Sequence, residues 1–103
     1  MEVLPGVERR EEVILMELRH LRSCLAVAES LSFVRAPKAL HLSQPALIAQ
    51  MRNLEEDLEV QPFVRNRRMV RLTPAGILLV KEAEEIVERA SKAVDRVRKA
   101  VHD

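Results

Sequence analysis

The sequence predicts a mainly α-helical fold, with three short helices followed by a small β-hairpin and one long helix. Three observations predict it. Apolar residues recur at steps of three and four from residue 16 to residue 58, the spacing that gathers side chains on one face of a helix. Residues 62–73 change to short β-branched runs on either side of a polar tip. A fourth helix is predicted from residue 74 to about residue 101, and within it a second repeat of three and four continues without a break from residue 79 to residue 100.

The composition is that of one small globular domain. Of the 103 residues, 48% are hydrophobic and 32% are charged, and Phe33 and Phe63 are the only aromatic ones, so aliphatic side chains must form the core. The single cysteine, Cys24, cannot form an internal disulfide, and we expect a buried thiol in a reducing compartment. No apolar run approaches a membrane span, and the four glutamates among the first 15 residues do not suit a signal peptide. We therefore expect a cytoplasmic protein with no membrane partner.

The residues that enzymes and metal sites need are not grouped in this chain. It has two glycines in all, no glycine-rich loop, and no serine, histidine and carboxylate in a catalytic pattern. His20, His41 and His102 share no spacing with one another or with Cys24 that suits a metal ion, so we expect surface or cap positions for them. The sequence predicts no enzyme activity, no metal site and no cofactor.

Residues 16–42 predict two helices after a flexible leader, which covers residues 1–15 and shows no strong period. Helix one begins at Met16 and is expected to bury Leu18, Leu21, Leu25 and Ala28, widened by Cys24, Val27 and Leu31. Ser32 can cap a short second helix over residues 33–40, which is expected to be buried through Phe33, Ala36, Ala39 and Leu40.

Residues 43–58, SQPALIAQMRNLEEDL, predict a third helix with an unusual outward side. Ser43 can cap it, and Pro45 falls in the first turn, where a missing backbone donor is harmless. One apolar stripe is formed by Leu47, Met51, Leu54 and Leu58. The opposite side is largely small or apolar, whereas a helix that only had to stay soluble would typically carry Lys and Glu there. We therefore expect this side of the helix to contact another molecule.

After the third helix, the sequence predicts a β-hairpin and then a long fourth helix. The runs PFVR and MVRLT flank the polar tip at residues 66–68, and Pro62 restricts the first strand to an edge. Thr73 can cap the fourth helix and Pro74 can begin it. Its repeat gives a heptad seam that needs a partner, and the expected partner is a second copy of the chain. The predicted dimerisation residues are Leu79, Ala83, Ile86, Ala90, Val94 and Val97.

Charge is unevenly distributed along the chain. Residues 30–54 contain three basic groups and no acid, residues 60–81 contain five basic groups and no acid, and every acid between them lies in residues 55–59. This pattern predicts one surface that faces a polyanion and one that faces solvent.

Two helices separated by two residues, followed by a basic hairpin, predict a helix-turn-helix with a wing. A helix that enters the roughly 12 Å major groove must be slim, which suits Pro45, Ala46 and Ala49, while the Gln44 amide can pair with adenine. We expect the third helix, residues 43–58, in the major groove and the wing, residues 63–72, on the backbone or in the minor groove. The predicted DNA-binding residues are Arg35, Ser43, Gln44, Pro45, Ala46, Ile48, Ala49, Arg52, Arg65, Arg67, Arg68 and Arg71.

The segments MELRHL, AVAESLSF, LHLSQPAL, NLEEDL and VRLTPAG, in this order, resemble the LysR-type transcriptional regulators over residues 16–101. The resemblance implies a winged helix-turn-helix domain at residues 16–73, with the motif itself at about 33–52, and sequence-specific binding to double-stranded DNA. It also implies a linker helix over residues 74–103 that makes a homodimer, with higher oligomers possible for a full-length form. A C-terminal domain that binds a small-molecule inducer is implied too, and we expect none of it within these 103 residues.

The chain departs from the family pattern at several positions. The family usually has aromatic residues at Ser23 and Cys24, Ala at Pro37, Ser or Thr at Ile48, Gly at Glu59 and Leu at Pro62. Pro37 is expected inside the second helix, where proline costs about 3 kcal/mol. Glu59 is expected at a left-handed C-cap, where the lack of Gly costs about 1 kcal/mol. These changes leave open a second function, a helical dimerisation or protein-interaction module with degraded DNA binding.

Overall fold

The computed structural model describes residues 16–65 and 69–102. The predicted leader, the wing tip with Arg67 and Arg68, and residue 103 lie outside the described residues. The element bounds are α1 Leu18–Ser30, α2 Arg35–Leu40, α3 Gln44–Leu58, β1 Phe63–Arg65, β2 Val70–Leu72 and α4 Pro74–His102. The predicted fold class is confirmed: three helices, a two-stranded antiparallel hairpin and a long helix follow one another in the expected order.

The core is mainly aliphatic, and α1 lies at its centre because it packs against α2, α3 and α4. The buried hydrophobic residues are Leu21, Cys24, Val27, Ala36, Leu47, Met51, Leu54, Phe63, Val70 and Ala83. In α3 the predicted stripe is confirmed, since Leu47, Met51 and Leu54 are buried and Leu58 is packed against them.

In α1 the buried arc is rotated from the predicted one. Leu18 and Leu31 are 42% and 47% exposed, whereas His20 and Ser23 are buried. The reason is that helices cover α1 on more than one side, and the sequence period does not say which flank of a stripe they cover. The expectation of a surface or cap position for His20 is therefore wrong, and its Nδ1 has no hydrogen-bond partner among the described residues.

The second helix begins later than predicted. The Ser32 hydroxyl accepts hydrogen bonds from the backbone N–H groups of Val34 and Arg35, at 3.1 and 3.0 Å, so it caps the turn as expected. Because α2 itself begins at Arg35, Pro37 is its third residue and lies in the first turn, where amides have no intrahelical partner. The predicted cost of an interior proline is thus wrong. So is the predicted burial of Ala39, which is exposed.

Three helices end on a residue with left-handed backbone. The φ angles are 51° at Leu31, 56° at His41 and 55° at Glu59. The left-handed conformation predicted for Glu59 is confirmed. At His41 it forms the turn between α2 and α3, in which the Leu42 N–H donates to the Pro37 carbonyl at 2.9 Å.

The first half of α4 packs on the domain and the second half extends away from it. Thr73 caps α4 as predicted, with its hydroxyl accepting from the Gly76 N–H at 3.0 Å. Ala83 is fully buried in the chain's own core, and Leu79 packs against that core. The prediction that Ala83 faces a second copy is therefore wrong, because α1 covers this part of the heptad seam. Among the described residues no helix is long and apolar enough to cross a bilayer.

Candidate nucleic-acid interface

The N-terminal end of α3 presents small side chains to the surface. The Ser43 hydroxyl accepts from the Ala46 N–H at 3.1 Å, which begins the helix as predicted. Gln44, Pro45 and Ala49 are exposed, and Ala46 is half-buried. A helix end of this shape can approach the base edges in the major groove of DNA closely. The Gln44 side chain is exposed, so its amide is available to hydrogen-bond to a base.

A groove of about 250 Å³ runs between α3 and β1. Ile48 and Arg52 line it from α3, and Arg65 lines it from β1. Both guanidinium groups belong to exposed residues, so the groove offers two cations, and its lining also contains apolar side chains and the half-buried Glu55. Small-molecule pockets usually span about 300–1,000 Å³ and enclose their ligand, so this open cleft better suits an extended polyanion.

The hairpin register decides where the wing arginines point. Phe63 pairs with Leu72, Val64 with Arg71, and Arg65 with Val70. Since side chains alternate between faces, Arg65 shares the face of Phe63 and Val70, which are both buried. Arg71 and Val64 occupy the opposite face. The sequence grouped the wing arginines as one surface, but the pleat divides Arg65 from Arg71.

Arg65 lies over an aromatic ring. Its Cζ is 5.0 Å from the centroid of the Phe33 ring, and that ring meets Phe63 in a T-shaped pair with centroids 6.3 Å apart. Arg35, at the start of α2, is exposed, and its guanidinium donates to the Ser30 carbonyl at 3.2 Å. The groove thus brings together Ile48, Arg52 and Arg65, whereas Arg35 and Arg71 are not among the residues that line it.

Six residues that line the groove were not among the predicted DNA-binding residues: Phe33, Met51, Glu55, Gln61, Phe63 and Val64. Phe33 was assigned to the core of the second helix, but it precedes α2 and is only half-buried. Gln61 and Glu55 also line the groove, although the acidic segment was expected to face solvent away from the basic surface. A signal for Phe33 was present, because it is one of only two aromatic residues and both lie beside basic stretches.

Nothing in the described part of the chain gathers metal ligands: no three His, Cys, Asp or Glu residues there are grouped so that they could hold an ion. Cys24 is fully buried, and this burial raises the pKa of its thiol from the ordinary 9.0 to about 11. A thiol that stays protonated is a poor nucleophile, so Cys24 serves packing.

Residues 18–77 match the family described as bacterial regulatory helix-turn-helix protein, lysR family. The chain belongs to the LysR family. The matched residues contain α1, the helix-turn-helix, the wing and the start of α4, so they form the DNA-binding domain of a LysR-family protein. The homologues found are transcriptional regulators and not enzymes.

Relatives and solved structures agree with this assignment. The chain is similar to the Hca operon transcriptional activator HcaR of Escherichia coli (strain K12), with 48% identity over 88 residues, 85% of this chain and 30% of HcaR. It resembles the DNA-binding domain of BenM in a complex with catB site 1 DNA, with a TM-score of 0.82, 36% identity and coverage of 85% and 99% of the two chains. For the DNA complex of the CbnR DNA-binding domain the TM-score is 0.81, with 41% identity and coverage of 84% and 100%.

Proposed function

We propose that this LysR-family domain binds duplex DNA sequence-specifically in the cytoplasm as a homodimer. In this proposal the N-terminal end of α3 enters the major groove, and two phosphate-binding arginines, Arg52 of α3 and Arg65 of β1, follow the flanking backbone. The observation that carries the proposal is the position of the exposed, small-residue end of α3 directly beside the basic groove. A slim helix end and adjacent cations are the two parts of a base-reading and backbone-binding surface.

Two kinds of contact with DNA are expected, and they differ in whether they depend on the base sequence. Gln44 reads a base edge, so its contact depends on sequence. Arg52 meets a phosphate, which every sequence offers. The remaining predicted contacts at Arg35 and Arg71 are also assigned to the backbone, and those at Arg67 and Arg68 to the backbone or the minor groove. Ile48 can pack on a thymine methyl group.

The test compares Gln44→Ala with Arg52→Ala on a preferred duplex, selected from random DNA, and on unrelated duplex. Gln44→Ala should cost about 1–3 kcal/mol on the preferred duplex only and relax base choice. Arg52→Ala should weaken binding to both duplexes alike and flatten the slope of log affinity against log salt by about one unit.

A matched control is Lys99→Ala, which removes the same charge from an exposed position near the far end of α4 and should leave the salt slope unchanged. Equal losses on both duplexes for Gln44→Ala would contradict base reading by α3. If the wild-type chain associates with itself but binds no duplex at low salt, the domain is instead a protein-interaction module.

The exposed apolar side chains of α4 support the homodimer. Ile86, Val94, Val97 and Val101 are 38%, 46%, 65% and 73% exposed. Beside them Ala90 is half-buried. Ile86, Ala90 and Val97 continue the heptad seam past the point where the domain covers it, and Val94 and Val101 form a parallel row beside that seam. The dimer seam is accordingly shorter than the predicted one and begins at Ile86.

An inducer is assigned to a separate domain. The chain spans 30% of the length of HcaR, and the groove beside α3 is small and open. We propose that any small-molecule response, and any assembly beyond a dimer, depends on a further domain that follows α4 in a longer protein.

A further inference from the structure

We infer that Phe33 is a positioning residue for DNA binding, because its ring holds the Arg65 guanidinium at the groove beside α3. The inference rests on the proposed function, in which Arg65 contacts a phosphate. Phe33 itself need not touch DNA. It acts by restricting the conformations of the Arg65 side chain in the unbound protein.

The contacts form a short chain from the core to the cation. Phe63 is 5% exposed and belongs to the core. Its ring makes a T-shaped contact with Phe33, at an interplanar angle of 86°, and Arg65 Cζ lies 5.0 Å from the centroid of Phe33. These distances are within the range in which aromatic pairs and cation–π pairs attract each other. A buried ring therefore anchors a half-buried ring, which in turn holds an exposed cation.

The hairpin register makes this contact available to Arg65 and not to its neighbour in the wing. Arg65 shares a face of β1 with Phe63, while Arg71 pairs with Val64 on the other face. The wing therefore contains its own control: two exposed arginines on adjacent strands, of which only Arg65 has a ring contact among the described residues.

Holding an arginine in place affects affinity through entropy. A free arginine loses rotamer freedom when it meets a phosphate, and this loss weakens binding. An arginine already stacked on a ring has lost part of that freedom in the unbound protein. At an exposed site a cation–π contact changes an equilibrium about two- to fivefold, which sets the expected effect on the dissociation constant.

The contact itself can be measured in the free wild-type protein by NMR. The Arg65 side-chain protons should be shifted upfield by a ring current, and those of Arg71 should not. Because Phe33 and Phe63 are the only aromatic residues, such a shift has few sources, and it should disappear in Phe33→Leu. Ordinary shifts at Arg65 in the wild-type protein would overturn the inference, and this measurement does not depend on whether any variant folds.

The consequence for binding is tested with a double-mutant cycle on duplex DNA. Phe33→Leu should raise the dissociation constant about two- to fivefold, and Phe33→Tyr, which keeps the ring, should restore it. In an Arg65→Ala background Phe33→Leu should have no further effect, whereas in an Arg71→Ala background its effect should persist.

The outcomes separate the two proposals. An equal loss from Phe33→Leu with and without Arg65 would mean that Phe33 acts through the fold or directly on DNA, and would overturn the positioning role. Tight, salt-dependent duplex binding that Arg65→Ala leaves unchanged would also overturn it, but would leave the DNA-binding function intact. Absence of any duplex binding by the wild-type chain would remove the proposed function, and the inference with it.

Discussion

Gly76, in the first turn of α4, lies so close to Pro62 that a Cβ atom at this position would overlap the Pro62 carbonyl group. The same carbonyl accepts a hydrogen bond from the Thr73 N–H at 3.0 Å. The Thr73 hydroxyl donates to the Gln61 carbonyl as well. The start of α4 is therefore held against the segment that leads into β1, which fixes the wing relative to the long helix.

Gly76→Ala should lower the free energy of unfolding by about 1–3 kcal/mol, the usual cost of forcing extra atoms into a packed site. Helix propensity alone predicts the opposite sign, since Ala is favoured over Gly by about 1 kcal/mol in a helix. Urea unfolding measures the difference. As a control, Ser91→Ala at an exposed position of the same helix should change stability by less than about 0.5 kcal/mol. A more stable Gly76→Ala variant would contradict the close contact.

Glu59→Gly should raise the free energy of unfolding by about 1 kcal/mol, because Gly adopts the left-handed C-cap conformation without the Cβ clash. The matched control is Glu56→Gly, which removes the same side chain from an exposed position inside α3 and should destabilise by about 1 kcal/mol. Thermal and urea unfolding of the pair should therefore move in opposite directions. Destabilisation by both substitutions would show that the Glu59 side chain contributes more than its backbone strain costs.

Stability should decrease between pH 9 and pH 11 because of Cys24. Burial raises the pKa of its thiol from 9.0 to about 11, so the unfolded chain loses this proton first and binds fewer protons in that window. The free energy of unfolding should thus fall with rising pH, by about 2 kcal/mol at most. The chain contains no tyrosine to titrate there. In Cys24→Ala this part of the pH dependence should be gone, and an unchanged pH profile would contradict the assignment.

Ile86→Glu combined with Val94→Glu should convert the proposed homodimer into a monomer, because both side chains lie on or beside the exposed part of the seam and a buried carboxylate without a partner is costly. Sedimentation over a range of concentrations measures the change. Lys92→Glu combined with Lys99→Glu introduces the same groups at exposed positions off the seam and should leave the dimer intact. A wild-type chain that is monomeric at high micromolar concentration would refute the seam.

Local patterns predicted the elements and several of their caps, although the second helix begins at Arg35 and not at residue 33 as predicted. The spacing of Leu47, Met51 and Leu54 predicted the buried stripe of α3, and Ser43 and Thr73 predicted the caps that the structure contains. Glu59 was expected at a left-handed C-cap where the family that the sequence resembles usually has Gly, and its φ of 55° confirms that expectation. Such features depend on residues within a few positions of one another, so the sequence alone is sufficient to predict them.

The tertiary structure decided everything that depends on what covers a surface. A period of three and four shows that α1 has an apolar stripe, but it does not show which flank of that stripe the helices packed against α1 cover, and in the structure His20 is buried and Leu18 is not. The same packing takes Ala83 out of the dimer seam. The hairpin register separates Arg65 from Arg71 and brings Arg65 onto Phe33, a residue 32 positions earlier in the chain. Contacts between residues far apart in sequence arise from the packing of whole elements, and no local pattern encodes which faces will meet.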